Sequence, residues 1–163
     1  MPLNIGLIGC GNWSKVVKKE IENSEHFNLN SVVCRDNNIN FSQNFKIFKN
    51  INDIFNYNHI DCLYVAAVPN INLDIIRLAI TKKLPLILEK PLSNSYISSI
   101  EIKKIYKKNK IIVLPNLSHF FSETYKEIEK FIFVNKSEII KIIINEGNFG
   151  PFRDNINPIW DWG

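Results

Sequence analysis

Residues 3–14 read LNIGLIGCGNWS: a short apolar run, a glycine-rich turn and the start of a helical pattern. Gly9, Gly11 and Ser14 give the pattern G-x-G-x-x-S, in which the first glycine allows a tight turn and the second leaves room for a pyrophosphate. Free amides at a helix start, at the positive end of its dipole, bind anions. A dinucleotide-binding loop is therefore predicted, with a ligand-free glycine turn as the alternative. The predicted cofactor contacts in this loop are Gly9, Gly11, Asn12, Trp13 and Ser14.

Downstream of this loop, short β-branched runs alternate with amphipathic helical patterns. Such alternation predicts βαβ units, and right-handed crossovers then give a doubly wound parallel sheet, an α/β Rossmann-like fold. The predicted strands are Leu3–Ile8, Leu29–Cys34, Phe45–Phe48, Cys62–Ala67, Leu84–Leu88 and Ile111–Leu114. The predicted helices are Asn12–Glu22, short ones near Phe41 and from Ile51, Asn70–Lys83, Ser95–Asn109 and Glu123–Val134.

The composition and charge of the chain exclude several classes of protein. The chain has 163 residues, of which 45% are hydrophobic, and a net charge of +4. That is enough apolar material for one ordinary domain and excludes a disordered tail or a fibre. The lysines are spread along the chain rather than clustered, so we expect no nucleic-acid partner. No apolar run approaches the roughly 18 residues of a membrane span, and no signal peptide opens the chain. We therefore expect no membrane association and a cytoplasmic location.

The three cysteines, Cys10, Cys34 and Cys62, lie in or beside apolar runs. They form no C-x-x-C pair and have no histidine at ligand spacing, which argues against a metal site. We also expect no disulfide, in keeping with a reducing compartment.

The predicted second strand ends in Cys34, Arg35 and Asp36, where the adenosine ribose of a dinucleotide would lie. An acidic residue here binds the ribose hydroxyls of NAD, whereas an arginine accommodates the 2′-phosphate of NADP. Arg35 comes first, which leans slightly toward NADP, but both types are present. NAD or NADP therefore remains open, as does the alternative that Arg35 and Asp36 are ordinary exposed turn residues.

The fifth predicted strand runs into Glu89, Lys90 and Pro91. A lysine at the carboxyl end of a parallel strand points into the crevice where such sheets bind ligands. Partial burial of a lysine at such a position can lower its pKa and suit it to proton transfer or to polarising a substrate oxygen. The alternative is a surface lysine at a strand end.

The order GLIGCGNW (6–13), VAAVPN (65–70) and LEKPLS (88–93) resembles the Gfo/Idh/MocA family of NAD(P)-dependent sugar oxidoreductases. The resemblance implies that Lys90 contacts the nicotinamide end and the substrate and assists catalysis. Val68 and Leu73 stand where the family usually has a threonine and a histidine, so some side-chain contacts are lost. The other cofactor-binding residues it implies are Ala67, Val68, Pro69, Asn70, Glu89, Pro91 and Asn116.

The resemblance also divides the chain into a Rossmann domain over 1–134 and the start of a second, substrate and dimerisation α+β domain over 135–163. Residues 137–146 (SEIIKIIINE) have a strand pattern, the first strand of that domain. The sequence ends before the family's histidine–aspartate motif, so we expect a dehydrogenase of a sugar or nucleotide-sugar hydroxyl that is incomplete as a catalyst. The alternatives are a stand-alone nucleotide-binding module and an inactive interaction protein. The tail, with its four aromatic residues, predicts a homodimer or a complementing chain: Phe149, Phe152, Trp160 and Trp162.

Overall fold

The computed structural model describes residues 1–36, 44–143 and 145. Six strands form one sheet in the order β3-β2-β1-β4-β5-β6, and every neighbouring pair is parallel. After β3 the chain crosses back and adds β4 on the other side of β1, so the two halves of the sheet extend in opposite directions from β1. This is the doubly wound arrangement that the sequence predicts. The strands are β1 (Leu3–Ile8), β2 (Phe27–Val33), β3 (Lys46–Phe48), β4 (Cys62–Val65), β5 (Leu86–Glu89) and β6 (Val113–Asn116).

Helices connect these strands, and three of them begin directly after a residue whose side chain caps the first turn. The Asn50, Ser95 and Ser122 side chains each accept a hydrogen bond from an amide in the first turn of the following helix. Such caps satisfy amides that have no partner within the helix. The helices are α1 (Asn12–Glu22), α2 (Ile51–Phe55), α3 (Asn72–Lys82), α4 (Tyr96–Asn109) and α5 (Glu123–Val134), with 3₁₀ turns at Pro69–Ile71 and Ser118–Phe121.

The core lies on both faces of the sheet because successive strand residues point to opposite sides. On one face Ile5 and Leu7 of β1 pack with Val17 and Ile21 of α1. On the other face, Ile8 belongs to a cluster that the buried residues of α2, α3 and α4 complete. The central strands are covered on both sides, which explains their nearly continuous apolar sequences.

Several predicted boundaries move by a few residues. The fourth strand ends at Val65 instead of Ala67, since the chain turns there toward the 3₁₀ turn at Pro69–Ile71. The sixth strand begins at Val113 and extends to Asn116, two residues further than predicted. The short helix predicted near Phe41 falls largely outside the described residues.

The strand predicted over 137–146 is wrong for residues 137–143, which form turns and irregular backbone. Ile140, Ile142 and Ile143 are exposed there. A strand needs a neighbour for its amides and carbonyls, and no strand among the described residues pairs with this segment. The four tail aromatics lie outside the described residues.

Across the described part of the chain, no helix combines the length and apolar character that crossing a membrane requires.

Candidate dinucleotide site

The turn after β1 requires glycine at position 9. Gly9 has a φ of 121°, a conformation that side-chain-bearing residues rarely adopt. A Cβ added to Gly9 would lie 2.3 Å from the carbonyl oxygen of Ala66. The Gly9 amide donates a hydrogen bond of 3.0 Å to the carbonyl of Val33. The turn therefore packs closely against the ends of β2 and β4, and only glycine fits at position 9.

Gly11 leaves an open approach to the first turn of α1. A Cβ at Gly11 would meet nothing within 4 Å. Gly11 is also the N-cap, so no side chain caps the helix, and no acidic residue lies in its first turn. The first amides of α1 thus face a space without a competing negative side chain. This arrangement fits a pyrophosphate, since anions are stabilised at helix N-termini.

Ser14 joins α1 to the sheet. Its side chain is buried and its hydroxyl donates a 3.1 Å hydrogen bond to the Ala66 carbonyl. A small third residue allows helix and strand to pack closely, as expected for this position. Because the hydroxyl is engaged with the protein, the Ser14 group left for a phosphate is its amide.

Cys10 and Cys34 form a disulfide, so the expectation of no disulfide is wrong. Their Cα atoms are 5.3 Å apart, within the range that a disulfide needs. The physical reason is the parallel pairing of β1 with β2, in which Ile8 lies opposite Val33 and the residues that follow come side by side. Spacing along the sequence does not reveal this neighbourhood.

Cys62 is the remaining cysteine and is free and buried. Burial, followed by the nearby Asp61 charge, raises the pKa of the Cys62 thiol to about 11. The thiol therefore stays protonated at neutral pH and behaves as a small apolar side chain.

The end of β2 presents the two predicted adenosine-side residues to solvent. Arg35 and Asp36 are both exposed, directly after the buried Cys34. The carbonyl of Asp36 accepts a hydrogen bond of 3.2 Å from Lys49 Nζ, which brings a second cation to this edge. Cationic and anionic side chains thus lie together at the carboxyl end of β2.

The loop after β4 lies next to the glycine turn, since the Ala66 carbonyl at its start faces Gly9. Pro69 is buried, whereas Val68 and Asn70 are exposed, and Ala67 lies between these extremes. One buried side chain that the sequence analysis missed, Asn72, donates a 3.1 Å hydrogen bond to the Leu92 carbonyl. This bond ties the start of α3 to the loop after β5.

A cluster of polar side chains occupies the carboxyl ends of β4, β5 and β6. The Tyr64 hydroxyl donates to Glu89 Oε1. Asn116 Nδ2 lies 2.8 Å from the Tyr64 hydroxyl oxygen and 2.8 Å from Glu89 Oε1, and it donates to both. The sequence predicts Glu89 and Asn116 but misses Tyr64, although a single hydroxyl-bearing residue in the apolar run CLYVAA (62–67) is a signal for it.

Lys90 follows Glu89 at the end of β5 and is exposed, so it lacks the partial burial that suits a lysine to proton transfer. The Lys90–Pro91 peptide bond is cis. Lys90 directly follows Glu89, the β5 member of the Tyr64, Glu89 and Asn116 cluster. Among the described residues, no group of three or more histidine, cysteine or acidic side chains could hold a metal ion.

Comparison with known proteins agrees with this geometry. Residues 3–117 match the family model of the oxidoreductase family with an NAD-binding Rossmann fold. The fold and the match define a domain of the NAD-binding oxidoreductase class. More particularly, the chain belongs to the Gfo/Idh/MocA family. A search of curated proteins found no match for this chain.

Solved structures share the fold at low sequence identity. One is scyllo-inositol dehydrogenase from Lactobacillus casei with bound NAD(H) and scyllo-inositol, with 14% identity and a TM-score of 0.73 over 83% of this chain and 42% of that chain. Another is myo-inositol 2-dehydrogenase from Lactobacillus plantarum, with 19% identity and a TM-score of 0.75 over the same shares, 83% and 42%. A provisionally assigned oxidoreductase from Magnetospirillum magnetotacticum MS-1 has 19% identity and a TM-score of 0.81 over 99% of this chain and 53% of that chain. The chain thus spans less than half the length of the two inositol dehydrogenases.

Proposed function

We propose that this chain is the cofactor-binding part of a dehydrogenase that acts on a hydroxyl group of a sugar or polyol. In this proposal the amides of residues 9–14 bind the pyrophosphate of NAD or NADP. Arg35 and Asp36 face the adenosine ribose, and Lys90 lies at the nicotinamide end. Membership in an NAD-binding oxidoreductase family supports the cofactor class.

The observation that carries the proposal is the uncapped first turn of α1 behind Gly9 and Gly11. The shape of the turn requires glycine at position 9, because a Cβ there would lie 2.3 Å from Ala66 O. It does not require glycine at position 11, because a Cβ there would meet nothing within 4 Å. The open space at Gly11 is explained by a ligand that approaches the main chain there. A bare structural turn gives no reason for it.

The bound nicotinamide would supply the acceptor for a hydride removed from the substrate carbon. The chain's own residues bind and orient it. The loop after β4, with Ala67, Val68 and Pro69, forms the wall along the cofactor. Lys90, as an exposed cation at the strand end, would donate a hydrogen bond to the oxygen of a substrate hydroxyl and stabilise negative charge that develops on that oxygen.

The substrate class is supported by the names of the two neighbours that are inositol dehydrogenases, both of which act on a cyclic polyol. Identity of 14% and 19% shows the fold alone, so the substrate is part of the proposal. Hydride transfer requires both reactants to be held about 3–3.5 Å apart. The test therefore separates cofactor binding from turnover.

Calorimetric titration of the purified chain with NAD, NADH, NADP and NADPH tests the binding step. We expect at least one dinucleotide to bind and to raise the melting temperature, since a ligand of the folded state stabilises it. Gly11→Val, which fills the open space above α1, should abolish this binding, whereas Val16→Ala on the exposed side of α1 should leave it unchanged. If no dinucleotide binds to the wild-type chain, the proposal is wrong.

A further inference from the structure

The polar cluster at the ends of β4, β5 and β6 is organised by hydrogen bonds to one phenol, that of Tyr64. Tyr64 donates its proton to Glu89 Oε1 and accepts a hydrogen bond of 2.8 Å from Asn116 Nδ2. Asn116 Nδ2 also donates to Glu89 Oε1, over 2.8 Å. Tyr64 therefore takes part in a hydrogen-bond network that connects the ends of three strands, β4, β5 and β6.

The Tyr64 hydroxyl both donates and accepts within the protein. Its one proton goes to Glu89, and its oxygen accepts a hydrogen bond from Asn116. Burial, and next the hydrogen bond to Glu89, raise the pKa of the Tyr64 phenol above its ordinary value. The phenol thus stays protonated in any physiological medium and keeps donating to Glu89. Such a group orients its neighbours and does not exchange a proton with a substrate.

The position of the cluster determines what it can orient. A doubly wound sheet binds one mononucleotide over each half, and the β2 end belongs to the adenosine half. The half formed by β4, β5 and β6 is then left for the nicotinamide. Glu89 and Asn116 lie opposite each other in the β5–β6 register, and Lys90 is the next residue after Glu89.

We infer that Tyr64 is a positioning residue that fixes Glu89 and Asn116 at the carboxyl ends of β5 and β6 and thereby sets the orientation of the nicotinamide end of the bound dinucleotide. This inference rests on the proposed function.

Two ligands separate this role from a merely structural one. NADH carries the nicotinamide ring, whereas ADP-ribose has the same adenosine and pyrophosphate without it. Tyr64→Phe keeps the ring that packs against the sheet and removes only the hydroxyl. We expect Tyr64→Phe to weaken NADH binding about tenfold, as the loss of one hydrogen bond to a charged group predicts, and to leave ADP-ribose binding within about twofold.

Three further variants extend the test, and the last of them is a control. Asn116→Ala should reproduce the selective loss of NADH affinity, and the double variant should lose less than the sum of the two single losses because both residues serve one network. Tyr106→Phe removes a hydroxyl from an exposed tyrosine of α4 and should change neither affinity. If NADPH is the preferred ligand, NADPH and 2′-phospho-ADP-ribose replace the pair.

Each result has a definite meaning. An equal loss of affinity for both ligands would make Tyr64 a purely structural residue and overturn the inference, as would unchanged NADH binding in Tyr64→Phe. Binding of neither ligand to the wild-type chain would overturn the proposed function and, with it, this inference. Normal ADP-ribose binding by the wild-type chain with unchanged NADH affinity in the variant would leave the proposed function standing and refute the role of Tyr64 alone.

Discussion

The two halves of the sheet offer different groups to a dinucleotide. The half built from β1, α1 and β2 offers main chain: a wedged glycine at position 9, an uncovered one at position 11 and uncapped helix amides. The half built from β4, β5 and β6 offers bonded side chains, centred on Tyr64. The difference shows a division of labour, because a pyrophosphate is held by amides that any sequence supplies, whereas a reacting ring must be oriented by particular side chains.

Gly9→Ala should have the largest effect on stability, because it disrupts the turn between β1 and α1. Alanine would have to adopt a φ near 121° and its Cβ would lie 2.3 Å from Ala66 O, a backbone atom that cannot move aside cheaply. We expect the free energy of unfolding in urea to fall by about 4 kcal/mol or more. Gly11→Ala is the matched control and should cost less than about 1 kcal/mol, because its Cβ enters open space. Equal losses in the two variants would contradict the distinction drawn between these glycines.

Reduction of the Cys10–Cys34 disulfide should be the next largest effect. The bond closes a loop with a sequence separation of 24 residues, and the chain-entropy relation assigns such a crosslink about 3 kcal/mol. Urea unfolding of the air-oxidised protein with and without a dithiol measures this difference. Cys10→Ser should be insensitive to the reductant, whereas Cys62→Ser should retain the full response. A wild-type protein with three alkylatable thiols after oxidation would show that the bond does not form.

Asn72→Ala probes the second half. It removes the buried hydrogen bond to the Leu92 carbonyl and leaves that carbonyl without this donor, at an expected cost of about 1–2 kcal/mol in the free energy of unfolding. The exposed Asn70→Ala is the control and should cost almost nothing. Hydrogen exchange should accelerate mainly in the loop after β5. Unchanged exchange there would mean that Asn72 does not hold this loop.

The smallest expected effect concerns the choice between NAD and NADP. Arg35→Ala should lower the affinity for NADP relative to NAD about fivefold, because a guanidinium favours a 2′-phosphate. Asp36→Ala should shift the ratio in the opposite direction, since it removes a like charge from the phosphate's surroundings. Fluorescence titration with NADH and NADPH gives both ratios. If both variants shift the ratio in the same direction, these residues do not read the ribose.

The main-chain half could be predicted from sequence because its signals are local. Gly9, Gly11 and the start of α1 follow one another, and alternation of apolar runs with helical patterns suffices for a parallel sheet. The disulfide could not be predicted, since Cys10 and Cys34 come together only through the pairing of β1 with β2.

The side-chain half was predictable only in part, for the same reason. Glu89 and Asn116 stand out at strand ends, but their bond depends on the β5–β6 register. The contact between Tyr64 and Glu89 is diagonal, because the residue directly opposite Tyr64 on β5 is Ile87. The predicted strand failed over residues 137–143 because local β-propensity cannot supply a neighbouring strand.

Amide chemical shifts during a titration with ADP-ribose test the central claim most directly, because each backbone N–H reports on its own surroundings. The account predicts that the largest changes occur at the amides of residues 9–14, with smaller ones at the end of β2 and almost none along α5. Saturating ADP-ribose that leaves the amides of residues 9–14 unshifted would contradict it.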